Sequence, residues 1–159
     1  MKEIILVVSY WLHLIATVIW IGGIFFILFI ALPSARKILG VEAGKLMADI
    51  SKRFTPIANC SIIALIVTGV ALTAANKQFS GIGNFGNNWT LVSSIKYLLV
   101  LSMVAVHFYR GLILAPRITK TETAPGKASL QKLSLNLVKV NFCLGLTVLL
   151  LSGMISVLR

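Results

Sequence analysis

His13 and Trp20 stand in a run, Trp11–Pro33 (WLHLIATVIWIGGIFFILFIALP), that holds no carboxylate, Lys or Arg. Lys96, Met103, His107 and Arg110 stand in a second apolar run, residues 91–115 (LVSSIKYLLVLSMVAVHFYRGLILA). An imidazole can ligate copper or haem iron, and a thioether suits Cu(I). A buried ammonium or guanidinium needs a counter-charge or acceptors. At about 100° per residue, His13, Thr17 and Trp20 share one helix face. Met103, His107 and Arg110 follow Lys96 at about two, three and four helical turns, which puts all four in one stripe. The candidate cofactor-binding residues are therefore His13, Trp20, Lys96, His107 and Arg110, and the candidate metal ligands His13, His107 and Met103. A plainer reading lets Lys96 and Arg110 snorkel to opposite interfaces; it leaves Met103 and His107 on the same stripe unexplained. No catalytic residue is assigned: there is no Ser-His-acid set, no carboxylate pair in an apolar run and no H-E-x-x-H.

The elements that must position these residues are membrane helices. The 159 residues are 58% hydrophobic and 12% charged, with a mean hydropathy of +0.96. A soluble domain would carry about 25% charged residues. The sequence predicts an all-α, integral membrane four-transmembrane-helix bundle, a single domain over residues 1–159, with spans at about 3–32, 56–75, 91–115 and 133–158. A short amphipathic helix is expected at the membrane surface between the first two spans, from about Val41 to Phe54. The N-terminal run extends well past a signal-peptide h-region and reads as an uncleaved first span. Small and weakly polar residues of the second span (Asn59, Ser61, Thr68, Gly69, Thr73) suit close helix packing, with hydroxyls bonded back to the helix. Cys60 and Cys143 read as buried structural thiols. Pro125-Gly126 reads as a turn, and Asn141, Gly145 and Ser152 share a face of the last span.

The formal charge of +11 would suggest nucleic acid in a soluble protein; here it sits mostly in loops and sets topology. Arg36, Lys37, Lys45, Lys52 and Arg53 crowd the first connection, and Arg117, Lys120, Lys127 and Lys132 the third, against Lys77 alone in the Gly- and Asn-rich second. Both basic connections are expected in the cytoplasm, facing anionic lipid, with both termini on the outer side of an inner membrane.

The order of motifs resembles the CopD-type membrane domain. These are H-x6-W-I-G-G then ALP in the first span, RFTPIA entering the second, LIVTGVAL within it, and Lys96 and Arg110 in the third. The resemblance covers nearly the whole chain and implies copper uptake or resistance. The chain is also similar, more distantly, to HemJ-type protoporphyrinogen oxidases, in its first-span His, its nearby Trp and Gly, and its third-span Lys. That likeness implies haem b, although in HemJ proteins a proline-arginine motif follows the Trp more closely than Pro33 does here.

Three readings stand open: haem b binding with membrane redox chemistry or electron transfer, copper handling, and a non-catalytic accessory subunit of a larger respiratory complex. A homo-oligomer or a larger redox assembly would suit the first and third. His13 lies more than twice as far along the chain before Pro33 as His107 does before Pro116. If the prolines mark one level, the imidazoles differ in depth by roughly 15 Å at the helical rise, which disfavours one bis-His haem.

Overall fold

Apolar and small residues recurring every three and four positions favour helices that pair along a seam. The computed structural model describes residues 1–76 and 88–157, and all regular structure among them is helical. Two compact units divide the chain, Met1–Lys77 and Gln78–Arg159. Each is built on an antiparallel pair of long helices. Three stretches, Lys2–Ala74, Asn88–Lys120 and Ala124–Val157, carry helix long and apolar enough to cross a membrane.

In the first unit, α1 (Lys2–Phe26) packs on α3 (Ala43–Ala74), joined through α2 (Leu32–Leu39). The inward side of α1 carries His13, Ala16, Trp20 and Gly23, while Val7 and Val18 face out. On α3 the matching side carries Phe54, Ala58, Ser61 and Thr68. Ala58 is fully buried and Ser61 nearly so, which lets the helices approach closely. The expected back-bonding is present: Ser61 donates to the Ile57 carbonyl at 3.0 Å and Thr73 to that of Gly69 at 2.8 Å. Gly40, at φ +51°, ends α2 in a conformation that only glycine adopts without strain.

The second unit repeats the plan. Helix α4 (Asn88–Phe108) runs on to α5 (Ala115–Lys120) and returns as α6 (Ala124–Val157). Met103 and Leu114 are almost fully buried on one side, and Val138, Asn141, Gly145 and Val148 on the other. Asn141 and Gly145 thus share the buried face that the angular count predicts, with Ser152 half-buried beside them.

Both units use one backbone device. A π-helix, Ile27–Ala31 in the first and Tyr109–Leu114 in the second, ends two positions before a proline. The Leu32 N–H bonds to the Ile27 carbonyl, and the Ala115 N–H to that of Arg110, each the wide step of a π turn. Proline lacks an N–H and its ring crowds the carbonyl four residues back. Widening the preceding turn accommodates Pro33 and Pro116 without ending the helix. A short basic helix end follows each time, Arg36-Lys37 and Arg117 with Lys120.

Several expectations need correction. The second span, expected to begin at about residue 56, is not a separate helix: α3 is continuous across Pro56, so the amphipathic stretch and the second apolar run form one helix of 32 residues. Thr55, bonded to the Ser51 carbonyl at 2.8 Å, reinforces that turn. Pro125 and Gly126 lie in the first turn of α6, where proline is tolerated, and are not a separate turn. Cys60 and Cys143 are exposed on outward helix faces among apolar neighbours, so they face the surroundings of the helices and not a core. The expected Gly- and Asn-rich connection lies, but for its ends, outside the described residues.

Candidate functional site

The first hairpin fixes one imidazole. His13 Nδ1 lies 2.8 Å from Thr68 Oγ1. Thr68 spends its only hydroxyl proton on the Ala64 carbonyl at 2.6 Å. Its oxygen can then only accept, so Nδ1 is the protonated nitrogen and in the neutral ring Nε2 carries the lone pair. That is the tautomer of an Nε2 metal ligand whose other nitrogen is held by the protein. Thr17 donates to the His13 carbonyl at 2.7 Å, and Gly69 leaves room beside the ring: a Cβ there would come within 3.6 Å of Cε1. Trp20, two turns along, is buried. One turn further on, a Cβ at Gly23 would overlap the ring of Phe54, so glycine is what admits that aromatic between the helices.

The second hairpin holds the other four candidates on the inward side of α4 and its π extension. Met103 is 1% exposed, and Lys96, His107 and Arg110 are half-buried, whereas Leu98 and Leu101 face out. Arg110 donates from Nε to Ser134 Oγ at 3.3 Å. This ties the π extension of α4 to α6. Counting heptads from that contact, back along α4 and on along α6, assigns Met103 to the neighbourhood of Asn141 and Lys96 to that of Val148. Asn141 is 2% exposed, and its Oδ1 has no hydrogen-bond partner. The His107 ring meets Phe108 edge to face, with centroids 5.5 Å apart. Lys96 makes no hydrogen bond or ion pair among the described residues.

The structure therefore brings Lys96, Met103, His107 and Arg110 together in one hairpin and His13 with Trp20 in the other. Arg110 sits in the π-helix, so the regular helical count does not hold beyond Phe108; the residue nonetheless turns inward. Among the described residues no three His, Cys, Asp or Glu side chains gather as a metal cage. Thr68 and Asn141 are the polar residues a search for ligands passes over. Thr68 reads as a packing residue, and its signal is a hydroxyl on the inward face of the helix that returns beside His13.

Long apolar helices with half-buried ionisable side chains make this a multi-pass membrane protein. Residues 48–155 match the family described as copper resistance protein D, CopD. The chain belongs to the CopD family, which links it to copper resistance. The match gives no support to the HemJ likeness or to haem b. No curated protein and no solved structure matches the chain.

Proposed function

We propose that this protein handles copper ions as cargo within the inner membrane, and that Met103 and His107 of the second hairpin are where Cu(I) is held. The observation that carries this reading is the layer at Met103. A buried thioether, an imidazole one turn on and an unpartnered amide oxygen of Asn141 at the same level are all electron-pair donors. Thioether and imidazole are the soft and borderline ligands that favour Cu(I) over harder cations. His13, with Nε2 as its lone-pair nitrogen, is a second imidazole of the kind a copper path uses.

Haem b fits the first hairpin less well. His13 has the tautomer an axial ligand needs, but the stretch from Ile4 to Ala35 holds no cation to meet haem propionates. The proposed topology has four spans, with α1, α3, α4 and α6 each crossing once, both basic connections inside and both termini outside.

The test is Cu(I) titration of the detergent-purified chain against a chromophoric competitor, with an absorption spectrum of the same sample. We expect tight Cu(I) binding and about tenfold or greater weakening in both Met103→Leu and His107→Ala, as loss of one ligand implies. A Soret band without Cu(I) affinity would return the haem reading. Absence of both would favour an accessory subunit.

A further inference from the structure

The Trp89 end of the second hairpin carries a different chemistry. Trp89, Ser93 and Lys96 follow one another at helical spacing on α4, on the inward side. Trp89 is 5% exposed and Ser93 3%, and neither Trp89 Nε1 nor Ser93 Oγ has a hydrogen-bond partner. Ser93 is telling. Several helical hydroxyls of this chain close onto the carbonyl one turn back, as the adjacent Ser94 does onto Thr90 at 2.8 Å and Ser152 onto Val148 at 2.8 Å. Ser93 leaves its hydroxyl unspent. Two residues with buried, unpartnered N–H and O–H groups thus share a helix face with a half-buried ammonium that has no ion pair among the described residues. Val148, level with Lys96 on α6, offers no acceptor side chain.

All three groups donate, and one is cationic. Water would satisfy the indole and the hydroxyl but would leave the charge unmatched. Of the four acids, Glu42 and Asp49 are engaged with Lys45 and Arg53, Glu122 lies beyond the far end of α4, and Glu3 is exposed at the start of α1 in the other unit. We propose that Trp89, Ser93 and Lys96 form a binding site for a phosphate-bearing anion, whose several oxygens would accept from all three. A lipid headgroup and free phosphate share that chemistry. The site is separate from the Met103 layer, and its test does not depend on copper.

Two experiments on the full chain, stripped of lipid in detergent, test this. In the first, native mass spectrometry follows retention of phosphatidylglycerol against phosphatidylcholine. In the second, inorganic phosphate is titrated while Trp89 emission is read in a Trp11→Phe, Trp20→Phe chain. Lys96→Met should weaken binding by about tenfold and Ser93→Ala by several-fold, whereas Lys96→Arg should keep most of it. Lys37→Gln, in a basic connection, should change nothing at this site. Sensitivity to these variants in the lipid arm alone assigns a headgroup; sensitivity in the phosphate arm assigns a soluble anion. Should Lys96→Met fail to fold, Ser93→Ala and, in the lipid arm, Trp89→Phe decide. Folded variants that bind both probes as the parent does, or a parent that binds neither, would overturn the site.

Discussion

The two hairpins are built on one frame and have been given different chemistry. His13 stands as far before Pro33 as Lys96 does before Pro116, and Trp20 and Met103 are likewise equidistant from the same prolines. The π-helices that precede those prolines bond in the same way. On equivalent positions the first hairpin places an imidazole and an indole, the second an ammonium and a thioether. The partners differ too. His13 faces Thr68, which accepts its Nδ1 proton, while Lys96 is level with Val148, which offers nothing. The first hairpin completes its His13–Thr68 pair internally, with the Trp20 indole nitrogen buried beside it. The second leaves a cation, two donors and an amide oxygen to be completed by something else. The backbone plan repeats while the seam diverges, and the proposed ligand sites draw on the chemistry of the second hairpin.

The strongest break of this comparison is topological. If both hairpins enter the membrane in the same sense, a cysteine at Asn84 is labelled by an impermeant thiol reagent in intact cells and one at Ala124 is not. Cys60 and Cys143, both exposed, must first be replaced. Reversed labelling overturns the orientation; equal labelling overturns the four-span arrangement.

Next comes the division between the histidines. His107→Ala should weaken Cu(I) binding by about tenfold or more, and His13→Ala should leave the Met103 layer with most of its affinity. Equal, complete loss from both would point to one site that uses both imidazoles, against the reading given above.

Gly23 tests the packing of the first hairpin. A Cβ there overlaps the Phe54 ring, so Gly23→Ala should lower thermal stability in detergent by about 1–3 kcal/mol, the usual cost of overpacking. Phe54→Leu in the same chain should restore much of that loss. A Gly23→Ala chain as stable as the parent would show that the ring moves aside freely.

The membrane class and the inward stripe of the third apolar run were legible because both depend on local pattern: long charge-poor runs, and a helical period that carries Met103 and His107 to the buried side. The duplication was not, because it lies in hydrogen-bond steps and proline placement, and only Pro33 and Pro116 mark it. The break expected at Pro56 failed for a related reason. A proline in a long apolar helix loses one bond and need not stop the chain when neighbouring turns and a packed partner hold it. The packing role of Thr68 was legible but its pairing with His13 was not, because that partner is 55 residues away and single-helix periodicity says nothing about which return helix meets it.

Thr68 therefore gives the finest test of the contrast between the hairpins. Thr68→Val keeps the shape of the side chain and removes the acceptor, which gives His13 the apolar neighbour that Lys96 already has. The Nδ1–H is left half-buried without that bond, at a cost of about 1–3 kcal/mol. The ring then lacks the acceptor that fixes Nδ1 as the protonated nitrogen, so Nε2 is no longer fixed as the lone-pair nitrogen. Thr68→Ser keeps a hydroxyl that can close on the Ala64 carbonyl and accept from His13, and should behave almost as the parent does. Nitrogen-15 chemical shifts of the imidazole read the tautomer directly. The parent and Thr68→Ser should show protonated Nδ1, and Thr68→Val a mixture of the two forms. An unchanged pure Nδ1–H ring in Thr68→Val would mean that Thr68 does not set the tautomer, and the first hairpin would lose its claim to a completed pair.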